Sequence, residues 1–225
     1  MAGLGSRFAQ MGYDKPKPLI DVNGVPMIKA VVDSLGLDGN YIFVVQKQHS
    51  LQYHLPDLLD EIAPGCAVVE IDGNTEGATI TTLAAKDLIN NDTPLLIANS
   101  DQVIVWDSSV VSSILPYNDF IALFLATESK WSFSEITDGW ITRVAEKDPI
   151  SSFANVGIYG WSKGSDYVKY AEQMVSKNIR TNNEFYVAPV YNEAIADGKK
   201  ILGYFVDKMH GIGTPEDLQL YLEGV

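Results

Sequence analysis

The first residues that could carry chemistry form a glycine-rich loop, Gly3-Leu4-Gly5-Ser6-Arg7. Glycines let a backbone pass close to a phosphate, and successive N–H groups in such a loop form a nest that binds anions. Arg7 would add a planar fork of donors. No Gly-Lys-Ser/Thr follows, and Phe8 stands where a dinucleotide-binding loop has its third glycine. The loop therefore indicates phosphate binding but matches neither of the two common nucleotide-binding fingerprints.

A second basic group follows about ten residues later, in Lys15-Pro16-Lys17-Pro18-Leu19. The prolines on both sides of Lys17 stiffen the backbone and fix the direction of the ammonium group. A rigid lysine close to an arginine-bearing glycine loop is typical of a phosphate clamp, whereas the alternative is a surface proline turn.

Asp101 is a candidate metal ligand because it follows the apolar run Leu95-Leu96-Ile97-Ala98, which predicts a strand. Ligands of open α/β sheets bind at the carboxyl ends of strands. A hard carboxylate there suits Mg²⁺ that is held partly by substrate phosphates.

Taken in order, these motifs closely resemble those of the sugar-phosphate nucleotidyltransferases, the family that includes the NDP-sugar pyrophosphorylases. The glycine loop and PKPL precede a Val-x-Gly-x-Pro-Met-Ile turn at residues 22–28. Further family-like motifs are Gly77-Ala78, Asn99-Ser100-Asp101, Glu146-Lys147, Asn155-Val156-Gly157-Ile158-Tyr159, Asn183-Glu184 and Gly213-Thr214-Pro215-Glu216-Asp217. The resemblance extends over most of the chain.

The resemblance implies a role for each matching residue. It assigns Arg7 to the β- and γ-phosphates, Lys17 to the reacting phosphate and Asp101 to Mg²⁺. The residues that it assigns to the nucleotide are Gly3, Leu4, Gly5, Ser6, Gly77 and Ala78. The residues that it assigns to the acceptor are Glu146, Lys147, Gly157 and Glu184.

The implied reaction is attack by a phosphate oxygen of the acceptor on the α-phosphorus of a nucleoside triphosphate, which releases pyrophosphate. The acceptor is a sugar-1-phosphate or another phosphorylated small molecule, and the implied pathway is the synthesis of surface-polysaccharide precursors. An anionic nucleophile needs no Ser-His-Asp or Cys-His device, and the three histidines and one cysteine form no such pattern. Catalysis then depends on positioning and charge neutralisation.

One departure from the family concerns the metal. Gly211 aligns where many pyrophosphorylases have a second metal-binding aspartate. Asp207, His210 or Glu216 could replace it, or a single carboxylate could suffice. Residues 127–131 also form a shorter stretch than the family usually has.

Two alternative functions remain open from the residues. A nucleotide-sugar-dependent glycosyltransferase would share the architecture, but it usually has Asp-x-Asp where this chain has one aspartate, Asp101. A non-catalytic nucleotide-binding domain would explain the absence of a second aspartate.

The predicted elements alternate between short apolar strands and helical segments, such as strands at residues 41–46, 67–71 and 120–126 and helices at 79–90 and 185–196. This alternation predicts an α/β fold, a Rossmann-like three-layer sandwich with a mostly parallel mixed sheet and a small acceptor-binding lobe. We expect a single domain, with a nucleotide half at about 1–127 and an acceptor half at about 128–225. Because a glycine loop usually follows a core strand, we also expect one before residue 1.

The composition of the 225 residues is that of a globular protein with an excess of acidic over basic side chains. The net charge of −13 gives no general attraction to nucleic acid or to anionic membranes. No apolar run approaches the ~18 residues of a membrane span. The single cysteine, Cys66, excludes an internal disulfide, and the absence of an export signal predicts a cytoplasmic protein.

Overall fold

The computed structural model describes residues 1–3 and 5–224. The helices are α1 (Ser6–Gln10), α2 (Met27–Leu35), α3 (Lys47–Tyr53), α4 (Leu55–Ile62), α5 (Ala78–Leu83), α6 (Lys86–Ile89), α7 (Ser108–Ile114), α8 (Gly164–Ser176), α9 (Val190–Ala196) and α10 (Pro215–Leu222), with a 3₁₀ turn at Lys17–Leu19. The strands are β1 (Asp21–Val22), β2 (Val25–Pro26), β3 (Ile42–Gln46), β4 (Ala67–Ile71), β5 (Leu95–Ala98), β6 (Gln102–Val105), β7 (Asp119–Leu125), β8 (Ser132–Thr137), β9 (Trp140–Glu146), β10 (Phe153–Trp161), β11 (Ile201–Phe205) and β12 (Lys208–Gly211).

The chain divides into two compact units. The first comprises Met1–Asn74, Asn99–Ser108 and Lys208–Val225. It contains the parallel pair β3–β4 and the antiparallel pairs β1–β2 and β6–β12. Apolar residues recur around α2 at helical spacing, so the helix contributes to two buried clusters. This packing fixes the segments that precede and follow α2.

The second unit comprises Thr75–Ala98 and Ser109–Asp207. Its six-stranded sheet has the order β5-β10-β7-β11-β9-β8, and the bridge Ala154↔Phe133 joins β10 to β8. Five of the strands therefore close on themselves as a small barrel. The buried ring of Trp161 at the end of β10 stacks on that of Tyr191 in α9, with 4.3 Å between centroids.

Strand β10 carries an irregularity at Gly157, a residue that the family resemblance assigns to the acceptor. Asn155 pairs with Leu123 of β7, and the next pair is Tyr159 with Ile121, so β10 has extra residues between the two pairs. Gly157 lies within this bulge with a φ of 91°, in the left-handed region that favours glycine.

The mixed α/β class is confirmed, but the expected mostly parallel sheet holds only in part. Among the strand pairs of the described residues, β3–β4 and β7–β11 are parallel and the others are antiparallel. The reason is clearest at β8–β9, which are joined by Asp138-Gly139, both with positive φ. A two-residue turn of this kind forces antiparallel pairing.

Two predicted helices differ in the structure. The helix expected at 79–90 is divided into α5 and α6, and the one expected at 185–196 begins only at Val190. Phe185 cannot join it, because its N–H donates to the Glu76 carbonyl and its carbonyl accepts from Thr79 N–H. Within the described residues, no helix is long and apolar enough to cross a membrane.

Candidate active site

The first unit brings Lys17 and Asp101 together although 84 residues separate them. The Lys17 Nζ atom donates to Asp101 Oδ2 at 2.6 Å, and both side chains are about four-fifths buried, with 22% and 20% exposure. A largely buried but still accessible ammonium–carboxylate pair is well suited to exchange partners, because a phosphate can replace the carboxylate and a cation can replace the ammonium.

The local sequence explains the position of Lys17. Pro16 is extended, with φ −60° and ψ 146°, and Pro18 and Leu19 are buried, so the 3₁₀ turn is anchored on its apolar side. A Cβ atom on Gly5 would stand 3.2 Å from the Lys17 Cβ, and the φ of Gly5 is 59°. Glycine at position 5 therefore meets both a conformational and a spatial requirement.

Ser6 and Arg7 of the glycine loop are exposed. Gly5 is the residue before α1, and Ser6 and Arg7 lie in the first turn of this helix. Within the described residues, the Arg7 guanidinium forms no ion pair, so its donors are available to an anion. Gly3 is also exposed, whereas Leu4, which the family resemblance assigns to the nucleotide, lies outside the described residues.

The segment after β12 lies directly against Asp101. The Ile212 N–H donates to the Asp101 carbonyl oxygen at 2.9 Å. A Cβ atom on Gly213 would stand 2.6 Å from Asp101 Oδ2, closer than real Cβ atoms approach. Gly213 therefore allows the carboxylate to occupy its position, a role that the sequence alone did not reveal, although the Gly-Thr motif marked the residue.

Each candidate second metal ligand has its own surroundings in the structure. Across residues 1–3 and 5–224, no group of three or more His, Cys, Asp or Glu side chains could hold a metal ion. The ring of His210 packs against that of Tyr221 at 5.1 Å. Glu216 is exposed in the first turn of α10, and Asp207 is exposed in the link between β11 and β12. The residues fit Mg²⁺ held by one protein carboxylate and by substrate oxygens.

The second unit brings together the charged residues that the sequence assigns to the acceptor. The Lys147 Nζ donates to the Tyr186 hydroxyl at 2.7 Å, and this bond, more than any other contact, raises the pKa of Lys147. Lys147 has a φ of 57°, unusual for a residue other than glycine. Such strain is commonly found at functional positions.

The pKa of Glu146 is altered by its surroundings. Burial, assisted by the negative charge of Glu184, raises the pKa of Glu146 to about 7, against the opposing effects of Lys147 and Ser132. Glu146 at the end of β9 faces Ser132 at the start of β8, so strand register determines its surroundings. A carboxyl group that titrates near neutrality can either donate or accept a hydrogen bond.

The Gly77-Ala78 segment is paired with the backbone beside Glu184. The Phe185 N–H donates to the Glu76 carbonyl at 2.8 Å, and the Thr79 N–H donates to the Phe185 carbonyl at 2.9 Å. A Cβ atom on Gly77 would lie 2.5 Å from both the nitrogen and the oxygen of Phe185, and the φ of Gly77 is 128°. Only glycine fits there, and Ala78 beside it is exposed.

Two residues of this region escaped the sequence analysis as site candidates. One is Tyr186, the partner of Lys147, and its place after the Asn-Glu motif was the available signal. The other is Asn155, which is 3% exposed and accepts a hydrogen bond from the Ser134 hydroxyl at 2.7 Å. Within the described residues its amide nitrogen has no partner, which is costly unless a ligand or water satisfies it.

Comparison with curated proteins identifies nucleotidyltransferase homologues. A 2-aminoethylphosphonate cytidylyltransferase of Lancefieldella rimae is 28% identical over 200 residues, which cover 87% of this chain and 78% of that protein. The bifunctional protein GlmU of Methanocaldococcus jannaschii is 23% identical over 228 residues, covering 96% of this chain but only 51% of that protein. No family model matches the sequence.

Comparison with solved structures gives the fold. The nucleoside-diphosphate-sugar pyrophosphorylase of Vibrio cholerae superposes with a TM-score of 0.86 at 21% identity, covering 99% of this chain and 97% of that one. Homologues and structural neighbours are thus nucleotidyltransferases and nucleotide-sugar pyrophosphorylases, as the motifs predicted.

Proposed function

We propose that this chain, a homologue of nucleotidyltransferases, transfers a nucleotidyl group from a nucleoside triphosphate to a phosphorylated small molecule and releases pyrophosphate. The observation that carries the proposal is the pairing of Lys17 with Asp101 in the unit that also contains the glycine loop. This arrangement supplies an ammonium for the phosphates and a carboxylate for a divalent cation.

Within this reaction, Arg7 and Lys17 neutralise phosphate charge, and the backbone N–H groups of the loop orient the triphosphate. Asp101 would hold Mg²⁺, which when bound neutralises the charge of the triphosphate. The chain provides no histidine–serine or histidine–cysteine device among these residues, which suits a nucleophile that is already a phosphate oxygen.

For the acceptor, the residues that support the proposal are Glu146, Lys147 and Glu184. Lys147 carries the positive charge that a phosphate or phosphonate requires, and the two carboxylates can accept hydrogen bonds from hydroxyl or amino groups. A sugar-1-phosphate and an aminoalkyl phosphonate, the acceptor class in the name of the Lancefieldella relative, both present these groups. They are the two acceptor classes that we propose.

Pyrophosphate release tests the proposal. Purified protein with Mg²⁺ is mixed with ATP, CTP, GTP, UTP or dTTP, and with glucose-1-phosphate, 2-aminoethylphosphonate or phosphocholine as acceptor. We expect release that requires one particular triphosphate and one acceptor. Release in none of the combinations, from protein that does bind a triphosphate, would instead support a non-catalytic nucleotide-binding domain.

A matched pair of variants ties the activity to the site. Lys17→Ala removes the ammonium at Asp101, whereas Lys29→Ala removes an exposed ammonium that pairs with Asp33 on α2 of the same unit. Only the first should abolish release. Equal losses in both variants would separate the activity from Lys17.

A further inference from the structure

Arg180 makes an unusual number of contacts for a partly exposed arginine. Its Nε donates to Asn178 Oδ1 at 2.7 Å, and one terminal nitrogen donates to the Asn183 carbonyl at 3.0 Å. The other terminal nitrogen forms an ion pair with Glu76. The guanidinium also lies over the ring of Phe185, 3.9 Å from its centroid. All three nitrogens of the guanidinium therefore have a polar partner, and its plane also contacts an aromatic ring.

These contacts join two segments that are distant in sequence. Glu76 directly precedes Gly77 and Ala78, which the family resemblance assigns to the nucleotide. On the acceptor side, Asn183 directly precedes Glu184, on which the proposed function relies. Because Arg180 contacts both segments, a movement of one segment would disturb the contacts of Arg180 with the other segment.

The backbone reinforces the same connection. Thr181 and Glu184 exchange N–H···O bonds of 3.1 and 2.9 Å around Asn182 and Asn183, both with positive φ, as in a tight reverse turn. The next residue, Phe185, is paired on its N–H with Glu76 and on its carbonyl with Thr79. The turn that presents Glu184 thus has little freedom to move independently of residues 76–79.

We propose that Arg180 is a positioning residue that couples the nucleotide segment at 76–79 to the acceptor turn at 181–186, so that binding of the nucleotide orders the turn that carries Glu184. The inference rests on the proposed function for the assignment of the acceptor turn and on the family resemblance for the assignment of residues 76–79 to the nucleotide. The bound nucleotide would then raise the affinity for the acceptor. By linkage, a bound acceptor would raise the affinity for the nucleotide by the same factor.

Hydrogen–deuterium exchange of the full chain tests the connection first without ligand. Arg180→Gln should accelerate exchange at both the Thr79 and Phe185 amides by about tenfold or more, because both bonds depend on the same held segment. Arg180→Lys keeps the charge opposite Glu76 but loses the fork, so it should recover only part of the protection. Lys163→Gln, which breaks the exposed pair with Asp92 in the same unit, should change neither amide. An unchanged rate at both amides in Arg180→Gln would overturn the proposal.

The second arm adds ATP, CTP, GTP or UTP, each with Mg²⁺, without any acceptor. In the wild-type protein the triphosphate that binds should protect residues 76–79 and 181–186 together, and in Arg180→Gln it should protect 76–79 alone. Protection confined to 76–79 in the wild type would refute the coupling while leaving the proposed function intact. Protection of neither segment by any triphosphate would refute the proposed assignment of 76–79 and the inference with it.

A kinetic readout separates positioning from simple stability. With the triphosphate and acceptor that the pyrophosphate-release assay identifies, Arg180→Gln should raise the acceptor KM at least fivefold more than the triphosphate KM. A lower kcat with both KM values unchanged would indicate that a smaller fraction of the protein is folded, and it would contradict a positioning role.

Discussion

Replacing Glu146 with glutamine should change how the stability of the protein depends on pH. In the folded chain the pKa of Glu146 is raised to about 7, chiefly by burial, from an ordinary value of 4.5. Between these two values the folded state keeps a proton that the unfolded state releases. The free energy of unfolding therefore falls as the pH rises from about 4.5 to 7, and above that range the contribution is constant.

The magnitude follows from the separation of the two pKa values. A difference of about 2.5 corresponds to about 3 kcal/mol, and solvent screening of a partly exposed carboxylate reduces this to about 1–2 kcal/mol. Glu146→Gln has no titrating group, so its unfolding free energy relative to wild type should rise by that amount across the interval. Glu184→Gln removes a neighbouring negative charge and should shorten the interval, because it lowers the pKa of Glu146.

Urea unfolding at half-unit pH intervals from 4.5 to 8.5 measures the effect, with the difference between variant and wild type as the observable. Glu135→Gln, which replaces an exposed glutamate of β8, is the control and should give a flat difference. A flat difference for Glu146→Gln as well would show that burial does not perturb this carboxylate, and it would refute the reasoning.

The phosphate-handling residues of the first unit give further predictions. Lys17→Ala should lower turnover by about 100-fold or more, whereas Lys29→Ala should not lower it. A loss below about threefold in Lys17→Ala, which is under ~1 kcal/mol of activation free energy, would contradict the proposed role of Lys17. Asp101→Asn should raise the Mg²⁺ concentration needed for half-maximal activity, and an unchanged Mg²⁺ profile would place the metal elsewhere. Calorimetric titration of Mg²⁺ into nucleotide-free protein should detect no tight site, since one carboxylate holds Mg²⁺ poorly, so tight binding would reveal further ligands. Gly213→Ala should displace the Asp101 carboxylate and reduce kcat. Gly39→Ala, whose Cβ would meet nothing within 4 Å, should leave kcat unchanged. Equal kcat values in the two variants would show that the segment around Gly213 shifts to accommodate the methyl group.

The sequence determined the local backbone of the candidate site wherever a motif fixes its own geometry. The prolines around Lys17 set its backbone whatever the remainder of the chain does, and the glycines at positions 5 and 77 appear where positive φ values are needed. Thr214 likewise caps α10 through a hydrogen bond from the Asp217 N–H, as its spacing predicted. Such features depend on neighbours within a few residues, so local sequence determines them.

Only the tertiary structure decided which distant groups meet. The contact of Gly213 with Asp101 joins residues more than 100 positions apart, and no periodicity encodes it. The pairing of Phe185 with Glu76 and Thr79 kept Phe185 out of the helix expected at 185–196, which begins only at Val190, because hydrogen bonds to another segment outweighed local propensity. The altered pKa of Glu146 arises in the same way, since burial and the field of Glu184 exist only once strands β8 and β9 and the turn at 181–184 are in place.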